Sequence, residues 1–360
     1  LEKGFLILET GDIFEGFLIG KFKGSSGEVV FNTGMTGYQE IISDPSYAGQ
    51  IITFCYPAIG NYGVNDLDDE SITPSLAGVI ISDACETPSH FQSISGFSEK
   101  LEQAGVPGLA GVDTRALVKK IRGVGTVKGV ISNRKASWAE LECKQTISGW
   151  VEKVSVKQQL TYKKNGPHVV LIDYGFKKSI LNFLLGRNCT VTIVPYKTKL
   201  EEIKQLSPDA VLLSNGPGDP MELKELFPEI KKIATAYPTL GICLGHQLIA
   251  LAFGAKTEKL PYGHRGANHP VKELSTGKVK ITSQNHGYVV VDGTVDQNEF
   301  EVTYRNVNDQ SIEGLQHLKF SIATVQFHPE AHPGPRDTLH ILEDFVGSLK
   351  SMGETRYAIS

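Results

Sequence analysis

Cysteine is scarce: Cys55, Cys85, Cys143, Cys189 and Cys243 stand far apart, with no C-x-x-C pair. An odd, dispersed set excludes a disulfide framework and a cysteine-rich structural zinc site, and a reducing, cytoplasmic compartment is expected. No window of 18 apolar residues occurs, and the start Leu1-Glu2-Lys3-Gly4-Phe5-Leu6 lacks a basic segment ahead of an apolar stretch. Neither a membrane span nor an export signal is therefore expected. Charge of neither sign dominates: 36 Lys+Arg face 40 Asp+Glu, with no basic stripe to neutralise a phosphate backbone, so nucleic acid is not an expected partner. The G-x-x-x-x-G-K-[ST] loop is missing, and Gly123-Val124-Gly125-Thr126-Val127-Lys128-Gly129 does not match G-x-G-x-x-G, so no nucleotide cradle is expected. Fixed-period repeats are absent, which sets aside solenoids and propellers.

What is present is a 360-residue chain, 40% apolar and 21% charged, which is enough for two or three globular domains. The first part reads as a small β-rich α+β domain over 1–150. Short strands are expected at Gly4–Leu8, Ile13–Ile19, Glu28–Phe31, Ile51–Phe54 and Gly78–Ser82. Helices are expected around Gly96–Ala104 and at Thr114–Arg122, where Leu117, Val118 and Ile121 share a face. Gly34–Glu40 and Asp44–Tyr47 read as surface loop. The Lys/Gln/Ser/Thr-rich stretch 151–167 reads as a linker. From His168 strand and helix alternate: strands Val169–Asp173, Thr190–Val194, Ala210–Leu213 and Thr239–Ile242, and helices near Lys177–Leu185, Leu200–Gln205 and Met221–Ala236. That rhythm predicts a doubly wound, mostly parallel α/β sheet over 168–360, with ligands beyond the carboxyl ends of its strands.

Gly241-Ile242-Cys243-Leu244-Gly245 lies at one such end. It has the form of a nucleophile elbow, in which a strand turns sharply into a helix and presents the residue at the bend. The helix N-terminus there favours a thiolate and can hold a developing oxyanion. The other four cysteines read as small buried hydrophobes. A base is needed, and ten histidines compete for the role. His328, in Phe327-His328-Pro329-Glu330, follows an apolar strand and has Glu330 to orient it; His286, in Asn285-His286-Gly287-Tyr288, is the rival. His246 shares the helix of Cys243 and is expected to point away from the thiol. Cys243 and His246 with His264 and His269 also make a superficial metal pattern on dissimilar elements, and no metal is expected. Ser214-Asn215-Gly216-Pro217-Gly218-Asp219-Pro220 ends another strand, either as a plain tight turn or as backbone donors beside Cys243.

Together Gly241–Gln247, Ser214–Pro220 and His328-Pro329-Glu330 resemble the class I, triad-type glutamine amidotransferases. Phe31-Asn32-Thr33-Gly34-Met35-Thr36-Gly37-Tyr38-Gln39-Glu40, Asp44-Pro45-Ser46-Tyr47, Gly111-Val112-Asp113-Thr114-Arg115, Asn268-His269-Pro270-Val271-Lys272 and Pro333-Gly334-Pro335 look like the small subunits of carbamoyl-phosphate synthetases. The resemblance implies that 168–360 is the amidotransferase domain and that 1–150 docks a large subunit. It further implies Cys243 as nucleophile, His328 as general base and acid, and Glu330 as orienter. Glutamine would be bound by Ser46, Gly216, Gly218, Leu244, Gln247, Asn285, Gly287 and Tyr288, in a cleft with Ser46 on the first domain's side. It implies no cofactor in this chain, with ATP and Mg on the large subunit, and a heterodimer or a larger assembly fed by ammonia through a tunnel. The alternatives are another class I amidotransferase, a γ-glutamyl hydrolase, or a non-catalytic regulatory subunit.

Overall fold

The computed structural model describes residues 2–71, 74–141 and 148–357; Cys143 lies outside them. Two compact units divide between Trp150 and Val151.

The first unit contains strands β1 (Lys3–Leu8), β2 (Ile13–Gly20), β3 (Ser25–Asn32), β4 (Gln50–Phe54), β5 (Ala58–Ile59), β6 (Gly78–Ile80), β7 (Asp83–Ala84), β8 (Pro107–Ala110) and β9 (Val127–Ser132), with helices α1 (Tyr38–Ser43), α2 (Phe97–Ala104) and α3 (Thr114–Val124). Seven strands close a barrel in the order β1-β2-β8-β6-β4-β3-β9, while β5 and β7 form a separate pair. Period-two alternation sends neighbouring side chains of one strand into different clusters. Val29 and Phe31 join Leu6, Leu8, Ile80 and the α3 residues Leu117 and Ile121, whereas Val30 joins Ile52, Val79 and the α1 and α2 residues Ile41, Ile42, Phe97 and Leu101.

The two stretches expected as surface loop are instead mostly buried. Tyr38 stacks on Tyr62 at 4.1 Å, and the Gln39 side-chain amide donates to Asn65 O. Asp44 caps a single turn, Pro45–Tyr47, by accepting the Ser46 N–H at 2.9 Å, and Tyr47 is held by Asn32. Aromatic and amide side chains with internal partners draw a glycine-rich segment inward that its composition alone assigns to solvent.

The second unit is a ten-stranded sheet built from β10 (Leu160–Tyr162), β11 (His168–Asp173), β12 (Thr190–Pro195), β13 (Ala210–Leu213), β14 (Thr239–Ile242), β15 (Thr257–Glu273), β16 (Val279–Val290), β17 (Phe300–Asn306), β18 (Ile312–His317) and β19 (Ile322–Val325). Their order is β10-β12-β11-β13-β14-β19-β18-β17-β15-β16. Helices are α4 (Trp150–Val154), α5 (Lys178–Gly186), α6 (Leu200–Leu206), α7 (Phe227–Ala236), α8 (Leu244–Ala252) and α9 (His340–Tyr357). Val169 and Leu171 of β11 pack with α5 and α9, while Val170 and Ile172 pack with α6, α7 and α8, so helices cover both faces.

The sheet is mixed where a mostly parallel one was expected. The run β12-β11-β13-β14-β19 is parallel, but β10 and the whole set β15–β18 join antiparallel. Helices separate the parallel strands in sequence, whereas residues 257–317 contain only strands and turns, which hairpin connections make antiparallel. The stretch 151–167, read as a linker, carries most of α4 and the edge strand β10, hydrogen-bonded to β12. Exposure of all three β10 residues explains their polar, linker-like neighbourhood. No helix among the described residues is long and apolar enough to cross a membrane.

Candidate active site

The carboxyl ends of β11, β13, β14 and β19 lie side by side, because β11 pairs β13, β13 pairs β14 and β14 pairs β19, all in parallel. Four chain reversals therefore meet at one edge of the sheet: Tyr174–Lys177, Ser214–Gly218, the bend at Cys243, and Gln326–Glu330.

Cys243 is the N-cap of α8, with φ 53° and ψ −102°, a strained conformation for a residue carrying a side chain. Its N–H donates to Val325 O at 2.8 Å, tying the bend to the neighbouring strand, and its thiol donates to Asn285 O at 3.6 Å. The flanking glycine is demanded by space. A Cβ on Gly245 would lie 2.3 Å from Leu213 O, a backbone atom that cannot step aside.

His328 follows β19, and its N–H donates to Ser283 O at 2.9 Å. Its Nδ1 lies 2.6 Å from Glu330 Oε1, which fixes Nδ1–H as donor and leaves Nε2 for chemistry. Nε2 is buried without a conventional hydrogen bond, and the nearby Cys243 thiol favours the charged ring. Burial opposes that charge, yet the Glu330 carboxylate and Cys243 outweigh it and lift His328 well above the ordinary histidine value.

Burial would raise Glu330, but the Lys177 ammonium and His328 hold it below the usual carboxylate range. Lys177 Nζ is 3.1 Å from Glu330 Oε1 and donates to Ala331 O at 2.6 Å. Sequence reasoning missed Lys177. Its only signal was position, a lysine just past the carboxyl end of β11 where apolar residues precede it. The Ser214-Asn215 pair sets it in place: Tyr174 N–H donates to Ser214 Oγ, Asn215 Nδ2 to Gly175 O, and Lys177 N–H to Asn215 Oδ1.

Gly216 meets the elbow directly, since a Cβ there would fall 2.2 Å from Tyr174 O and 2.9 Å from Leu244 Cδ2. Gly218 adopts φ 93°. On α8, Gln247 donates to Tyr288 O at 2.7 Å and to Gln326 Oε1 at 3.0 Å, linking the helix to the Asn285–Tyr288 segment of β16. Gly287 is backed by Arg265, whose Nη2 would lie 3.3 Å from an added Cβ. Ser46 belongs to the first unit, in its Asp44-capped turn.

The rival histidine is otherwise engaged. His286 Nδ1 contacts Tyr288 O at 2.9 Å and Nε2 contacts Gln284 Oε1 at 2.6 Å. His246 turns into the core, with Nδ1 2.8 Å from Thr324 Oγ1. His264 gathers with His286 and Glu313, and among the described residues the four of the superficial metal pattern do not form one group.

The chain matches the family described as glutamine amidotransferase class-I over residues 170–348, and that described as carbamoyl-phosphate synthase small chain, CPSase domain, over residues 6–131. It is 49% identical to the carbamoyl phosphate synthase arginine-specific small chain of Halalkalibacterium halodurans, covering 99% of this chain and 100% of that one. Identity is 50% to the small chain of Listeria innocua, over 98% and 99% of the two chains. It is 49% to the pyrimidine-specific small chain of Bacillus subtilis, over 96% of each. With both halves matched and the likeness running nearly end to end, the chain belongs to the carbamoyl-phosphate synthase small chain family.

Proposed function

We propose that this chain hydrolyses the side-chain amide of L-glutamine at Cys243 and passes the ammonia to a large synthetase subunit, which makes carbamoyl phosphate. One observation carries the reading: a thiol held at a strained bend beside a buried His328, itself backed by Glu330 and Lys177.

His328 takes the Cys243 proton, and the thiolate attacks the amide carbon. Backbone N–H groups near Leu244 and Gly216 hold the oxyanion. His328 returns the proton to the leaving nitrogen, and the C–N bond breaks to give ammonia and a γ-glutamyl thioester. Water then attacks the thioester carbon, His328 accepting its proton, and glutamate departs as the thiol re-forms. Glu330 orients the imidazole and stabilises its charge; Ser46, Gly218, Gln247, Asn285, Gly287 and Tyr288 bind the substrate. His286 is unsuited to the base role because both its nitrogens have partners.

The chain works in the cytoplasm as one half of a heterodimer or larger assembly, with residues 1–150 docking the large subunit and with ATP and Mg bound there. The relatives' names span both arginine-specific and pyrimidine-specific small chains. The test is glutamate release from glutamine by the full chain, with and without the large subunit. Loss in Cys243→Ala and His328→Ala is expected, and full activity in Cys243→Ala would overturn the reading.

A further inference from the structure

Next to the Asn285–Tyr288 segment lies a chain of polar side chains, buried except for Asp309 at its outer end, that the hydrolytic mechanism does not use. His264 Nε2 is 2.8 Å from Asp309 Oδ2, and its Nδ1 is 3.6 Å from Glu313 Oε1. Glu313 Oε1 is 3.2 Å from Asn306 Nδ2 and 3.1 Å from the Gln284 amide, whose other atom is 2.6 Å from His286 Nε2. The chain ends where His286 Nδ1 meets Tyr288 O, the carbonyl that also accepts from Gln247 on the helix of Cys243.

Counting donors restricts where the protons sit. A carbonyl only accepts, so His286 Nδ1 carries a hydrogen. With the Gln284 oxygen toward His286, Nε2 must carry one too, making His286 an imidazolium whose charge Glu313 balances as a carboxylate accepting the Gln284 N–H. Turning the Gln284 amide by half a rotation exchanges its nitrogen and oxygen. Nitrogen then donates to a bare His286 Nε2, and the oxygen accepts from a protonated Glu313. The total number of protons is the same, and the turn gives up only a donation to Thr282 Oγ1 at 3.2 Å.

Two observations favour the second arrangement. The first would place two buried imidazolium rings 5.0 Å apart, because His264 is held charged by Asp309. Glu313 is fully buried, and its Oε2 has no hydrogen-bond partner, an expensive situation for an ionised carboxylate and a far cheaper one for a neutral acid. Burial raises Glu313 and lowers His286, in the same sense.

We propose that Glu313 is carried as a neutral carboxylic acid which, through the Gln284 amide, fixes His286 as its Nδ1–H tautomer and so positions the Asn285–Tyr288 segment for glutamine. Glu313 is a positioning residue, and the substrate half of this statement rests on the proposed function. Together His264, His286 and Glu313 also approach one another within 4.8 Å, as metal ligands would, but the ring nitrogen of His286 facing the group is already taken by Gln284.

The test uses the full chain with 15N-labelled histidine, assigned with a His286→Asn variant, and two substitutions. Glu313→Gln keeps a donor in the place of the acid proton, whereas Glu313→Ala removes it. The 15N shifts of wild type should report a neutral His286 protonated at Nδ1. Glu313→Gln should hold the glutamine KM within about twofold, while Glu313→Ala raises it about tenfold with a smaller effect on kcat. An imidazolium or Nε2–H signature, a Glu313→Gln variant as impaired as Glu313→Ala, or zinc bound stoichiometrically at these side chains would overturn the proposal. Should Glu313→Ala fail to fold, the 15N spectrum and Glu313→Gln still decide. A wild type without glutaminase activity would sink the functional reading but leave the tautomer assignment to stand or fall on its spectrum.

Discussion

Lys177 Nζ and Glu330 Oε1 form an ion pair 3.1 Å long with both side chains almost wholly buried. A pair this dry recovers little net stability against hydrophobic replacement, but breaking it from one side leaves an uncompensated charge. Lys177→Met should therefore lower unfolding free energy by about 3–5 kcal/mol. Adding Glu330→Gln should restore part of the loss, since it removes a buried carboxylate that would otherwise keep His328 as its remaining charged partner. Denaturant melts of the two singles and the double check this; simple additivity would count against the pairing.

The same carboxylate sets the charge on His328. Glu330 favours the imidazolium, so Glu330→Gln should move the His328 titration toward acid. The imidazolium must deliver a proton to the departing ammonia, so the alkaline limb of the kcat/KM profile should retreat toward neutral pH. A limb that stays put would mean that Glu330 only braces the ring.

Space at the elbow gives a third expectation. Gly245→Ala drives a Cβ to within 2.3 Å of Leu213 O, so β13 and α8 must part. A loss of about 1–3 kcal/mol is expected, together with most of the activity, because the Cys243 bend is the first turn that moves. Gly186→Ala, where an added Cβ meets nothing within 4 Å, serves as the control and should be close to neutral in thermal melts.

The parallel half of the sheet was legible because helices alternate with strands and because Val169–Asp173 and Ala210–Leu213 are short apolar runs buried on both faces. Cys243 stood out for its two glycines, and His328 for the strand before it and Glu330 after it. Strands β15 and β16 were not legible. Their sequences mix His, Asn, Gln, Lys and Pro, since one stretch faces solvent and another holds a buried polar network, which erases the period-two signal. Lys177, Gln284 and Glu313 escaped for a related reason. A buried polar residue is identified by the partners that satisfy it, and most of those come from strands and turns distant in sequence.

Acid should expose the neutral core histidines. His246 is fully buried, bonded to Thr324 through Nδ1, and desolvation lowers its pKa to about 3. In the unfolded chain it titrates near 6.5, so between these values the unfolded state binds the extra proton and the folded state does not. Its contribution is complete above about pH 6.5 and is lost as pH falls toward 3. At pH 5 the loss from this one residue should be about 2 kcal/mol. His286 and His269, also lowered chiefly by burial, add in the same direction. His264 and His328 are raised and act in the opposite sense, contributing below about pH 6.5 and losing that contribution at higher pH. The discriminating variant is His246→Gln, which keeps a donor for Thr324 but cannot be protonated in the unfolded chain. Urea melts from pH 7.5 to 5 should show a shallower decline for His246→Gln than for wild type, by about 2 kcal/mol at the acid end. Parallel curves would mean that His246 accepts its proton in the folded state, with Nε2 finding a partner the core does not otherwise offer.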